Sequence, residues 1–368
     1  MKFSLIVPVF NRPDEVNELL ESLMQQTYKD FEVVVVEDGS DVRCEEVVRQ
    51  YADRLDVQYF EKPNSGPGQT RNYGAERSKG EYLIVLDSDV VLPEGYLAAV
   101  DKDLTANPCE AFGGPDCAHE SFTPVQKAIN YSMTSFFTTG GIRGGSSPLR
   151  GNGKGALDKF YPRSFNMGIK KSLYEQLKGF SNMRFGEDID FSIRIFKSGA
   201  RCRLFPEAWV WHKRRTDFRK FFRQVHNSGI ARINLYKKYP ESLKLVHMLP
   251  AVFTIGVALL SLVFLLGLLL VLLGLLTCRH PGCNMAPVVM LFGGLIMLIA
   301  AAPVILYKLI IFTDSTIRNR SIRVGLLSIP ASFIQLLGYG SGFLRAWWLR
   351  CICGRNEELQ AFKKNFYK

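Results

Sequence analysis

LIVLDSDVVLP, residues 83–93, decides the fold. An apolar run reaches two carboxylates, Asp87 and Asp89, with one small residue between them, then resumes and stops at Pro93. A strand apolar on both faces belongs inside a sheet covered on two sides. The neighbouring segments read the same way. KFSLIVPVF (2–10) is a buried strand, FEVVVVEDGS (31–40) a second that ends in acid and glycine, VQYFEK (57–62) a short third, and EYLIVLDSDV (81–90) the fourth. RPDEVNELLESLMQQ (12–26) is a helix, with Pro13 in its first turn beside Asp14 and Glu15, and Val16, Leu19, Leu20 and Leu23 as its apolar stripe. GPGQTRNYGAERS (66–78) is a loop entering a helix. Strands alternating with helices predict an α/β class, a mostly parallel sheet with helices on both faces. Ligands bind such sheets beyond the carboxyl ends of the strands. Those ends carry residues 8–11, 37–40 and 87–89, which are expected to line one crevice.

The crevice is not built for a dinucleotide oxidoreductase. That class needs G-x-G-x-x-G after the first strand, and the turn here, PVFNRP, has no glycine. The P-loop pattern is also absent. The glycine-rich GGIRGGSSPLRGNGKG (140–155) follows no evident strand and opens no evident helix, so it reads as a loop over the site. The carboxylates remain. Two acids repel a diphosphate, but they hold a hard divalent cation, and the cation holds the diphosphate.

The ordered set SLIVPVFNRPDEV, VVVVEDGS, GPGQTRNYG, LIVLDSDVVLP, FNMGIKKSLYEQLKGF, GEDIDFSIRIFKSG and FPEAWVWH resembles glycosyltransferase family 2, the inverting enzymes of GT-A (Rossmann-like) fold, from about residue 3 to 230. A lone D-x-D would be weak. The resemblance implies a nucleotide-sugar donor and roles for matching positions. Asp38 would read the nucleotide base, Pro8 and Phe10 line the same pocket, and Arg71 contact the nucleotide. Asp87 would lie near ribose and metal, and Asp89 ligate Mn²⁺ or Mg²⁺ directly. Inverting transfer needs a base for the acceptor hydroxyl; the resemblance assigns it to Asp188, with Glu187 as companion and Ile189, Ile193 and Phe196 as the buried stripe of their helix. Plainer readings stand beside these: Asp38 and Asp87 as turn or cap residues, and Glu187, Asp188 and Asp190 as acids favouring a helix N-terminus. His212, after the strand AWVW, is either a structural hydrogen-bonder or a third metal ligand. Trp209 or Trp211 would stack on an acceptor sugar or pack in the core.

One departure bears on the product. Processive members carry Q-x-x-R-W after this point, whereas FFRQVHNSGIAR (221–232) has no R-W. Single transfer to a lipid-linked glycan or glycolipid acceptor is expected. A polyprenyl-phosphate glycosyltransferase is the alternative within the family, and a catalytically degenerate membrane-anchored scaffold the alternative outside it.

Beyond about residue 235 the composition changes. No charged residue occurs from 249 to 276, and a second apolar run begins at 286 and extends to about 312. Each is long enough for a helix to cross a hydrocarbon core of about 30 Å. The expected division is a catalytic domain over 1–235 and a membrane domain over 236–368. Lys237, Lys238 and Lys244 precede the first run, and Lys308, Arg318, Arg320 and Arg323 lie around the end of the second. The positive-inside rule then places the catalytic domain and basic tail in the cytoplasm of a cell that holds the protein in its inner or plasma membrane. A third stretch, 324–345, contains Pro330, Gln335 and the glycines Gly338, Gly340 and Gly342; it is expected to be re-entrant or interfacial, with a third span as the alternative. TDFRKFFRQV (216–225) suits a helix on the membrane surface or an amphipathic helix packed in a core.

The net charge of +11 fits anionic lipid headgroups, and no base-stacking motif supports nucleic-acid binding. Of eight cysteines, Cys44, Cys109, Cys117 and Cys202 are scattered and expected to stay reduced, while Cys278 and Cys283 could pair in the loop between the apolar runs.

Overall fold

The computed structural model describes residues 1–117, 119, 121–140, 162–277 and 285–359. The glycine-rich loop expected over the site, from 141 onward, and the Cys278–Cys283 pair fall outside them. The chain divides into two compact units, one of Met1–Ser121, Gly145–Arg214 and Glu357–Lys368, the other of Phe122–Gly144 and Arg215–Asn356.

In the first unit the strands are β1 (Phe3–Val9), β2 (Phe31–Asp38), β3 (Val57–Lys62), β4 (Tyr82–Leu86), β5 (Val90–Val91), β6 (Ala111–Gly113), β7 (Asp116–Cys117), β8 (Asn166–Lys170), β9 (Cys202–Leu204) and β10 (Val210–His212). Its first four helices are α1 (Pro13–Met24), α2 (Glu45–Arg49), α3 (Pro67–Arg77) and α4 (Tyr96–Ala106). Seven strands form one sheet in the order β3-β2-β1-β4-β8-β6-β9. β3, β2, β1 and β4 are parallel, as the continuous apolar runs require; β8 enters antiparallel to both β4 and β6. One face packs against the stripe Val16, Leu19, Leu20 and Leu23 of α1 and against Tyr96, Leu97 and Val100 of α4. The stripe of α1 follows its i, i+3, i+4, i+7 spacing. A small second sheet, β5-β10-β7, is built from very short strands beside the ends of β4 and β6.

The second unit begins its helices with α5 (Pro124–Thr134) and α6 (Phe136–Thr139). The first unit then adds α7 (Lys171–Gln176) and α8 (Glu187–Lys197), which cover the other face of the sheet through Leu173, Tyr174, Phe191 and Ile195. The expected stripe of α8 is therefore corrected. Phe191 and Ile195, four apart, enter the core and Ile193 is buried, whereas Ile189 and Phe196 are half-buried.

The remaining helices of the second unit are α9 (Phe218–Lys238), α10 (Leu249–Thr277), α11 (Ala286–Asn319) and α12 (Ile322–Trp347). α10, α11 and the helical stretch Ile322–Ile352 are long and apolar enough to cross a membrane. Leu259, Leu262, Leu265, Leu266, Leu269 and Leu272 of α10 are exposed, so this helix lacks a polar face for water. The stretch 324–345 lies within α12, a single unbroken helix. Of the two readings of TDFRKFFRQV, the packed one holds for α9: Phe221 and Val225 are buried with Ile129 and Met133 of α5, against Ile334 and Tyr339 of α12. Close approach needs glycine there. A Cβ on Gly229 would lie 2.1 Å from the carbonyl oxygen of Tyr339, and one on Gly342 2.0 Å from that of His226.

Candidate active site

Most of the expected site residues stand at the carboxyl end of a strand or in the first turns of a helix. After β1, Asn11 turns the chain with left-handed backbone, φ 54. Its N–H donates to Ser40 Oγ at 2.8 Å and its carboxamide oxygen accepts from Val42 N–H at 2.9 Å, which fastens the turn after β1 to the turn after β2. Glu37 supports that second turn from below, accepting from Ser40 and from Cys44 N–H. Pro8 and Phe10 are half-buried beside it.

Asp38 closes β2 and is 1% exposed. Its Oδ1 takes Lys62 and the N–H of Ser65; its Oδ2 takes the N–H of Gly66 at 2.9 Å and Asn64 Nδ2 at 3.4 Å. Two carboxylate oxygens offer about four acceptor sites, so this carboxylate is fully engaged in holding the loop that leads into α3.

Arg71, one turn into α3, is 3% exposed. It donates to Asp87 Oδ1 at 2.8 Å and to Glu187 Oε1 at 3.0 Å, over the ring of Phe180. Burial alone would lower its pKa, but the two carboxylates overcome this and raise it. Asp87 leaves the end of β4 with its carboxylate 30% exposed.

Asp89 lies between β4 and β5. Pairing of β5 with β10 sets Val90 opposite His212, so the imidazole reaches Asp89, with Nε2 3.4 Å from Oδ1. The other oxygen, Oδ2, accepts from Arg12 Nη1 at 2.5 Å. Burial would raise the Asp89 pKa; the contacts with His212 and Arg12 prevail and hold it far below the carboxylate range. The His212 ring stacks on Phe165 with centroids 4.9 Å apart. Its Nδ1 lies 3.9 Å from Asp116 Oδ2 on β7, which Arg214 grips by a second ion pair. Trp209 and Trp211 pack edge to face.

Asp87, Asp89 and His212 each offer a ligand atom, all within 4.8 Å of one another. Two carboxylates and an imidazole are a donor set that suits Mn²⁺, or Mg²⁺ with less use of the imidazole. Sequence expectation and geometry agree on these three neighbours. Glu187 and Asp188 open α8 after Gly186, whose φ of 85 is left-handed. Burial, reinforced by Asp188, outweighs Arg71 and pushes the Glu187 carboxyl up to about 7. Asp188 is more open; Oδ1 accepts from Ile189 N–H at 2.8 Å and Oδ2 from Arg163 Nη1 at 3.4 Å.

Arg12, Lys62, Asp116, Arg163, Phe165 and Arg214 were not legible as site residues. Arg12 and Lys62 carried a signal, their places at the carboxyl ends of the first and third strands, where ligands of such sheets bind. The others enter through loops or through β7 and β10.

Residues 4–174 match the family described as Glycosyl transferase family 2. A glycosyltransferase of Haemophilus influenzae, itself described as uncharacterized, is 32% identical over 199 residues, 53% of this chain and 62% of that protein. The Staphylococcus aureus poly(ribitol-phosphate) beta-N-acetylglucosaminyltransferase TarS is 40% identical over 93 residues, 24% of this chain and 16% of TarS. The mannosyltransferase PcManGT of Pyrobaculum calidifontis, solved in complex with GDP-Man and Mn2+, shares the fold, with a TM-score of 0.52 at 16% identity over 95% of this chain and 88% of that one. The chain spans only part of the curated relatives it matches, down to 13% of the length of one from Rickettsia bellii.

Proposed function

We propose that this chain, whose residues 4–174 match Glycosyl transferase family 2, transfers a sugar, with inversion, from a nucleoside-diphosphate sugar to a hydroxyl of a membrane-associated, lipid-linked glycan. The observation that carries this reading is the Asp87, Asp89 and His212 cluster at the carboxyl end of the sheet. A UDP-sugar is the donor we favour on the family resemblance; the name of the staphylococcal relative gives an N-acetylglucosaminyl group as what that protein transfers. The long apolar helices support an acceptor that resides in a membrane. On this reading the catalytic unit faces the cytoplasm at the inner or plasma membrane.

Asp87, Asp89 and His212 would hold Mn²⁺ or Mg²⁺, which supplies positive charge to the departing diphosphate. Pro8, Phe10 and Asp38 would form the nucleotide pocket. Because four donors occupy the Asp38 carboxylate, base reading by that group requires Lys62 or Asn64 to release it. Arg71 would fix Asp87 on the donor side and Glu187 on the acceptor side in one geometry. Asp188 is the proposed base. As the acceptor oxygen bonds to the anomeric carbon, the bond to the diphosphate oxygen breaks, and the hydroxyl proton passes to the Asp188 carboxylate. Its Ile189 N–H and Arg163 partners keep that carboxylate aimed.

The test uses full-length protein in detergent with native lipid extract, Mn²⁺ and a panel of labelled UDP- and GDP-sugars. Label appearing in the organic phase with one donor, and lost in Asp89→Ala, supports the reading. Label moving only to a polyprenyl phosphate would replace the acceptor. No transfer or nucleotide binding by folded protein would favour the scaffold.

A further inference from the structure

Asp89 spends both carboxylate oxygens on cationic or potentially cationic groups. Oδ1 faces His212, and Oδ2 accepts from Arg12 at 2.5 Å. The guanidinium therefore occupies one side of the acid that a divalent ion would need. Its side chain is 29% exposed against 13% for the Asp89 carboxylate, so it lies towards the open side. Its backbone is firmly placed. Asn11 is fastened to Ser40 and Val42, and Pro13 opens α1 immediately afterwards. A rigid base with an outward-lying guanidinium lets that group change partner without disturbing the sheet.

Two charge states of the cluster follow. Without a divalent ion, Asp87 and Asp89 are balanced by Arg71 and Arg12. A divalent ion shared by both carboxylates and His212 would place two positive charges against Arg12 and weaken its hold on Asp89. A donor diphosphate brought by that ion would supply oxygens in the same place, and a planar guanidinium suits phosphate oxygens by its paired N–H groups. We infer that Arg12 is a diphosphate-binding residue that serves as the Asp89 counter-ion until the divalent ion and donor arrive. The inference rests on the sugar-nucleotide reading of the crevice.

The exchange makes two predictions of opposite sign. Full-length wild type, Arg12→Ala and Arg12→Lys are titrated in detergent, with free Mn²⁺ followed by electron paramagnetic resonance and UDP or GDP binding at saturating Mn²⁺ by calorimetry. Arg12→Ala binds Mn²⁺ alone about fivefold tighter, having lost a competitor, yet binds the nucleotide about 30-fold more weakly, having lost a charge-assisted partner. Arg12→Lys recovers only part of the nucleotide affinity, because an ammonium lacks the planar fork. Unchanged or weakened Mn²⁺ binding in folded Arg12→Ala overturns the inference, as does unchanged nucleotide affinity. If Arg12→Ala does not fold, wild-type nucleotide affinity in Arg12→Lys overturns it. Failure of the wild type to bind either nucleotide with Mn²⁺ removes the donor reading and this inference together; wild-type binding with unaltered variants removes only the inference.

Discussion

The guanidinium of Arg71 joins Asp87 to Glu187, at 2.8 Å and 3.0 Å. One acid stands at the end of a central strand and the other at the start of a helix on the sheet's flank. The bridge fixes the distance between the end of β4 and the start of α8 through one rigid, planar group. It also divides the electrostatics. Asp87 has an open face, while Glu187 is 9% exposed and adjoins Asp188.

That burial makes stability depend on pH. The Glu187 carboxyl is raised from 4.5 to about 7, first by burial and then by Asp188. A raised carboxyl pKa means that the folded state binds the proton more tightly than the unfolded state. The associated stability is full below 4.5, declines as pH rises, and is gone above about 7. At roughly 1.4 kcal/mol per unit this amounts to about 3 kcal/mol at most. Denaturation of the wild type and Glu187→Gln in detergent should show the wild type losing stability relative to the variant across that window. Parallel curves would place the Glu187 pKa at an ordinary value.

Asp116 and Arg214 are expected to govern how His212 meets an ion. Asp116 Oδ2 lies 3.9 Å from Nδ1 of His212, on the side of the ring away from Asp89, and Arg214 Nη1 lies 3.5 Å from the same nitrogen. Carboxylates behind a ligating imidazole orient it and raise its basicity, and their loss lowers metal affinity by about 10- to 100-fold. Asp116→Asn also removes the charge that Arg214 grips. Its Mn²⁺ affinity should fall by about tenfold, measured on protein shown to be folded, because leaving the buried Arg214 without its carboxylate also lowers the melting temperature. Unchanged affinity would return His212 to a structural role.

The parts of this site that were legible are those with long-period signals. β1, β2 and β4 announced themselves as unbroken apolar runs ending in Asn11, Asp38 and Asp87, and α1 by a stripe that all four of its residues keep. β8 did not, because NMGIK is too short for a period to show and its antiparallel entry between β4 and β6 depends on partners far away in sequence. The same limit hid Asp116, which is brought to His212 only through a pairing two residues long. Asp38 was placed correctly at its strand end, but its neighbours at Lys62, Asn64, Ser65 and Gly66 come from the next crossover. The stripe of α8 was misread because a helix with acids at 187, 188 and 190 turns two of them inward, Glu187 to Arg71 and Asp190 to Arg194.

In the helical unit, Gly342 offers a packing test. A Cβ there would stand 2.0 Å from the carbonyl oxygen of His226, which is backbone and cannot turn away. Gly342→Val should force α9 and α12 apart and cost about 1–3 kcal/mol. Gly294, whose Cβ would meet nothing within 4 Å, is the control; Gly294→Ala should cost no stability. Thermal unfolding in one detergent, followed by circular dichroism, compares the two. Equal melting temperatures would mean that the contact of α9 with α12 yields at no cost.

Asp188 and Asp89 separate chemistry from binding. The Asp188 carboxylate is anchored through Ile189 N–H and Arg163, and an asparagine amide preserves its size and can keep its oxygen towards the backbone donor. What it cannot do is accept the hydroxyl proton. Asp188→Asn should therefore bind nucleotide with Mn²⁺ as the wild type does, while turnover falls by about 100-fold or more. Asp89→Ala removes a ligand of the cluster and leaves Arg12 without its carboxylate, so metal-dependent nucleotide binding and turnover should fall together. Calorimetry and a transfer assay on the same preparations distinguish the pair. Near-normal turnover in Asp188→Asn would move the base to another group, and Glu187, held near neutrality by burial, is the carboxylate to which the role would pass.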